Sequence, residues 1–118
     1  MNDCVFCEIV AFEAPAEVVR HWLRGIAIRP LDPITEGHVL VIPNDHVADF
    51  TTSQEVTELA AYYAAELAGD LGGDWNLITS KGPAATQTVF HLHVHLVPRR
   101  PGDGLALPWT GQAPGEQR

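Results

Sequence analysis

The chain is 118 residues long, 46 % hydrophobic and 19 % charged, which is the size and composition of one ordinary globular domain with a modest core. Its formal net charge of −8 excludes a general binder of nucleic acid or of an anionic membrane, because either needs a positive surface to attract phosphate; any phosphate ligand must be held locally. No apolar stretch approaches the roughly 18 residues of a membrane span, and Met1 precedes Asn2, Asp3 and Cys4 rather than a basic and then apolar leader, which reads as a cytoplasmic protein.

In chain order, residues 4–12 mix apolar and polar positions in the manner of a short helix, which Pro15 ends before a β-like stretch from Glu17 to Trp22. Gly25 is expected to supply a turn into a strand from Ile26 to Arg29, and a Pro-rich connection leads through Pro30, Asp32 and Pro33 to Gly37. A second strand is expected from His38 to Ile42, stopped by Pro43 and Asn44. Ser53 has the character of a helix N-cap, and Val56, Leu59, Ala60, Tyr63, Ala64 and Leu67 recur at helical spacing up to Gly72-Gly73. Trp75 to Thr79 and Phe90 to Val97 read as two further strands around a small-residue loop, Ser80 to Val89. After Pro98 turn formers dominate, although Leu105, Leu107 and Trp109 suggest that the tail docks.

Two patterns carry chemistry. Cys4 and Cys7 are three positions apart, a spacing that suits a metal or a redox pair and is too short to staple a fold. His91, Leu92, His93, Val94, His95, Leu96 and Val97 alternate strictly; on a strand this puts three imidazoles on one face, about 7 Å apart at Cα, and the aliphatic residues on the other. Imidazole titrates near neutrality and serves as acid, base, nucleophile or metal ligand. The preceding loop, with Lys81-Gly82-Pro83 and Gln87-Thr88, offers backbone N–H groups and short polar side chains able to surround an anion.

The run from His91 to Val97 resembles the signature of the histidine triad family, His-φ-His-φ-His-φ-φ with φ apolar, without exception. Gln87-Thr88-Val89, Pro98-Arg99, the stretch from Gly37 to Pro43 and His46 are also similar to that family, and the resemblance spans roughly residues 4–110. It implies an α+β fold: an antiparallel sheet of about five strands, one long helix near residues 53–71 and a short N-terminal helix. The chain reads as a single domain, 1–118, with its core about 4–110 and a tail 111–118, and by family analogy as a homodimer.

The resemblance also implies an activity. His93, the middle histidine, matches the nucleophile that attacks an α-phosphate and becomes transiently nucleotidylated; His95 matches a phosphate-contacting residue that stabilises developing charge, and Gln87 and Thr88 match positions that hydrogen-bond the phosphate or leaving group. Members with the N-terminal cysteine pair complete a structural zinc site with the first triad histidine and one upstream histidine, here His91 and His46 beside Cys4 and Cys7. His38 matches a position often filled by histidine and has a structural role at least as readily; His21 reads as a surface residue.

Some positions depart from the pattern. Many relatives bind the ribose hydroxyls with Asp near Arg29-Pro30, where this chain has Pro30-Leu31, with Asp32 close by; Ser80 and Thr86 stand where Asn and Gly are common. Leu31, Asp32, Ser80, Gln87 and Thr88 are therefore the expected substrate contacts. The expected function is nucleotide phosphohydrolase or nucleotidyl transferase acting on a phosphoramidate, a dinucleoside polyphosphate or a similar conjugate. The alternative is a nucleotide-binding regulatory protein with little turnover.

Overall fold

The computed structural model describes residues 3–108. Helix α1 (Val5–Val10) is followed by strands β1 (Val18–Trp22), β2 (Gly25–Ile28) and β3 (Val39–Pro43), helix α2 (Gln54–Leu71), and strands β4 (Asp74–Ile78) and β5 (Val94–Arg99). The strands form one antiparallel sheet in the order β1-β2-β3-β5-β4. This is the α+β architecture expected, with one long helix and one short one.

Both faces of the central strands are covered, so β2 and β3 are buried at every position and lack the polar alternation of a half-exposed strand. Ala27, Val39, Val41, Val94 and Leu96 pack beneath Val56, Ala60, Tyr63, Ala64 and Leu67 of α2, each large aliphatic side chain contributing about 1.5–3 kcal/mol by leaving water. On the other face Ile26, Ile28, Leu40 and Ile42 meet Phe6 and Ile9 of α1. Helix α2 starts where the sequence indicates: the Ser53 hydroxyl accepts from the Val56 N–H at 3.1 Å, and Gly72 ends it at φ +70°.

Most element ends differ from the sequence reading by one or two residues, and three differences have a clear physical reason. Gly25 is the first residue of β2 rather than the turn. A Cβ there would lie 2.9 Å from the Tyr63 ring and 3.2 Å from the Ile42 carbonyl oxygen, so glycine is required for close approach; that ring stacks on Trp22 at 4.5 Å. Pro43 does not stop β3 but takes its last rung, opposite Gly25, after the β5 pairing has ended at Val41 and Val94. The final strand begins at Val94, not Phe90. Upstream of it the Leu92 N–H donates to the Val47 carbonyl at 2.7 Å, and this bond draws His91 and Leu92 away from the sheet ladder.

The segment after β5 is docked by a clamp. The Arg99 guanidinium donates to Asp103 (2.8 and 3.1 Å), Asn76 (2.6 Å) and the Leu105 carbonyl (2.8 Å), holding the Asp103 carboxyl well below the usual carboxylate range. Leu105 and Leu107 are half-buried, in keeping with a docked tail; Trp109 and the tail 111–118 lie outside the described residues.

Candidate active site and metal centre

The triad does not act as a flat row of three rings. His91 turns inward and is fully buried, whereas His93 and His95 are half-buried with ring centroids 5.3 Å apart. Because His95 pairs across the sheet with Leu40, it shares the α1 face, while Leu92, Val94 and Leu96 join the α2 core.

Main-chain groups assign a tautomer to each ring. His93 Nδ1 lies 2.8 Å from the His91 carbonyl oxygen; a carbonyl only accepts, so the proton sits on Nδ1 and Nε2 keeps its lone pair. At His38 the order reverses. The Ile34 N–H donates to His38 Nδ1 at 3.1 Å, which puts the proton on Nε2, and this donates to His95 Nδ1 at 3.0 Å. His95 consequently carries its own proton on Nε2. Burial lowers the pKa of both His38 and His93, and burial, with repulsion from His93 and His38, pushes His95 down to about 4. At neutral pH the site therefore offers a nucleophilic nitrogen beside an uncharged N–H donor.

Cys4, Cys7, His46 and His91 converge at the N-terminal end of α1, with one ligand atom from each within 4.8 Å of the others. Cys4 Sγ and Cys7 Sγ are each 3.5 Å from His91 Nδ1, Cys7 Sγ is 3.1 Å from His46 Nδ1, and the two Nδ1 atoms are 3.2 Å apart. Bonds of about 2.0–2.3 Å to a tetrahedral zinc give ligand-to-ligand edges of roughly 3.3–3.8 Å; these four separations lie inside that range or about 0.2 Å short of it, and two thiolates with two imidazoles are a donor set that suits the ion. His91 Nε2 also donates to the Pro43 carbonyl at 2.8 Å, which leaves Nδ1 free to ligate and fixes the ring as in histidine–metal sites generally. With four protein ligands, zinc here would tie side chains together and leave no position for substrate.

A cleft of about 630 Å³ opens on the α1 side of the sheet; none of the triad histidines lines it. Val5, Phe6 and Ile9 of α1, Ile28 and Leu40 of the sheet, and Leu31 and Asp32 of the β2–β3 connection line it, together with Thr88 and Val89. Phe6 joins cleft to centre, its ring meeting His93 edge-on at 4.9 Å. Of the expected substrate contacts, Leu31, Asp32 and Thr88 are gathered here; Ser80 and Gln87 are not among the lining residues. The Gln87 side chain is buried and braces its own loop, donating to the carbonyls of Ala48 (2.8 Å) and Val89 (3.2 Å) and accepting from the Gly82 N–H (2.8 Å). His21 stays on the surface against Phe12. Sequence reasoning missed Phe6 and Ile9 as cleft residues and undervalued His38; the only signal for Phe6 was its place between two candidate metal ligands.

Comparison with known proteins agrees with this fold. A Zn-bound histidine triad family protein from Mycobacterium smegmatis has the same fold, with a TM-score of 0.75, 41 % identity and coverage of 88 % of this chain and 80 % of that one. A HIT family hydrolase from Clostridium thermocellum matches with a TM-score of 0.78 and 35 % identity, covering 91 % and 99 %. Adenylylsulfatase HINT3 of Arabidopsis thaliana is 32 % identical over 118 residues, which is 95 % of this chain and 58 % of the plant protein. The family model for the HIT domain matches residues 11–102, and with relatives of similar sequence and fold beside it, this chain belongs to the HIT domain family.

Proposed function

We propose that this protein is a nucleotide hydrolase that cleaves at an α-phosphate through a covalent nucleotidyl-histidine on His93. The carrying observation is the 2.8 Å contact from His93 Nδ1 to the His91 carbonyl, which leaves Nε2 unprotonated and able to attack. In the first step Nε2 forms a P–N bond as the bond from phosphorus to the leaving group breaks. The His95 Nε2–H donates to a phosphoryl oxygen as charge develops there. In the second step water attacks phosphorus and releases a proton to solvent, the P–N bond breaks with its electron pair returning to Nε2, and a nucleoside monophosphate departs.

The nucleoside occupies the apolar cleft, with the base against Phe6, Ile9 and Leu40 and the ribose near Leu31 and Asp32. Thr88 offers its hydroxyl to the phosphate, and Gln87, whose N–H groups are engaged, holds the loop that presents it. Zinc at Cys4, Cys7, His46 and His91 is structural. Cysteines held as metal ligands suit a reducing, cytoplasmic setting. Among the described residues no helix is long and apolar enough to cross a membrane.

The name of the plant relative, an adenylylsulfatase, and that of the hydrolase of similar fold support hydrolysis over a purely regulatory role. The deciding experiment is rapid quench with nucleotides labelled at the α-phosphate, a panel of nucleoside phosphoramidates, dinucleoside polyphosphates and adenylyl sulfate. Label on His93 together with monophosphate release is expected; binding without label or release assigns the regulatory role.

A further inference from the structure

We infer that occupancy of the four-ligand centre gates nucleotide binding by holding α1 against the cleft, with Phe6 as the cleft-wall residue that links the centre to His93. This rests on the reading of the cleft as the nucleotide site. Helix α1 has six residues, far fewer than the roughly 12–15 at which an isolated helix becomes even marginal in water. Its placement must come from tethers. Two are apolar, Phe6 and Ile9 against Ile26, Ile28, Leu40 and Ile42. The others are Cys4, whose sulfur caps the helix by accepting from the Cys7 N–H at 3.4 Å and faces His91, and Cys7 itself, which faces both His46 and His91.

Tying those four side chains together fixes three things at once. It fixes the wall of the cleft, since Val5, Phe6 and Ile9 all line it. It fixes the Phe6 ring, which meets His93 at 4.9 Å and His91 at 6.0 Å, edge-on in both cases. It also fixes the His91 main chain, whose carbonyl takes the His93 Nδ1 proton. The larger core is separate: the α2 cluster with the opposite sheet face contains no residue of α1. Loss of the tie should release the cleft wall and leave that core folded.

The test compares the chain as purified, the same chain after zinc removal with a strong chelator, and the chelated chain reloaded with one equivalent of zinc. Calorimetric binding of AMP and GMP is measured on each, with backbone hydrogen exchange. On zinc removal the affinity for the monophosphate that binds should fall roughly tenfold or more, as the population with α1 docked shrinks, and zinc should restore it. Exchange should rise across residues 4–12 while 54–71 stay protected. In zinc-loaded protein Phe6→Ala should weaken binding at unchanged zinc content, and Phe6→Leu should recover part of the loss.

Unchanged affinity after chelation overturns the inference, and so does loss of protection in α2 together with α1, which would make the centre a support for the whole fold. If the zinc-loaded protein binds neither monophosphate, the nucleotide reading fails instead, and exchange over residues 4–12 still decides whether the centre holds α1.

Discussion

His38, just ahead of β3, and His95 on β5 face each other, with Nε2 of the first 3.0 Å from Nδ1 of the second, and the direction of that bond is set by the Ile34 N–H on the far side of His38. Neither ring protonates readily. In the unfolded chain each titrates near 6.5, whereas in the folded protein His95 titrates at about 4 and His38 also lies below 6.5. Because the native state binds fewer protons between those values, stability present above pH 6.5 is lost as the pH falls towards 4. Thermal unfolding of the wild type should show a plateau above pH 6.5 and a decline below it, and the decline should be shallower in His95→Gln. Parallel curves for the two proteins would show that the His95 titration contributes nothing.

The histidine roles separate by magnitude. Removing a nucleophile typically costs on the order of 10⁴–10⁶ in turnover, so His93→Ala should lose both activity and the label that survives an alkaline quench, while still binding the monophosphate in the apolar cleft. His95→Ala should cost about 10²–10³, the effect of losing one hydrogen-bond donor to developing charge, and should still become labelled. Label persisting in His93→Ala would assign the nucleophile elsewhere.

Metal content tests the four-ligand assignment directly. Protein purified without chelator should contain one equivalent of zinc, and Cys7→Ser should contain much less, since a site that loses one of its two thiolates loses most of its affinity. Zinc content near one equivalent in Cys7→Ser would mean that this residue is not a ligand.

The Ser53 cap offers a control remote from the site. Ser53→Ala removes the acceptor for the Val56 N–H and should cost about 1 kcal/mol, seen as a melting temperature lower by roughly 3–5 °C with unchanged turnover. A matching fall in turnover would tie α2 to the chemistry.

Strand β4 is an edge of the sheet and leaves Leu77 and Ile78 partly exposed, with Leu71 and Tyr62 exposed on α2. An open edge beside apolar side chains invites a second copy, in line with the homodimer expected by family analogy. Sedimentation at micromolar concentration should give a dimer and Leu77→Lys a monomer; monomeric wild type would count against it.

The period-two run from His91 to Val97 and the Cys4-Cys7 spacing made the family and most of the candidate site residues legible in the sequence, because both patterns are local: alternation puts Leu92, Val94 and Leu96 on the core side whatever the rest of the chain does. The extent of α2 was legible for the same reason, through its cap and its apolar stripe. Which nitrogen of each imidazole carries the proton was not legible, because those protons are assigned by carbonyls and an amide at His91, Pro43 and Ile34, brought near only by folding. Nor could the sequence tell that His91 leaves the row of rings for the cysteines, since the bond from Leu92 to Val47 that ends the ladder joins segments 45 residues apart. The part played by Phe6 was hidden likewise: it sits at one end of the chain and His93 near the other, and only packing of α1 on the sheet brings the two rings into contact.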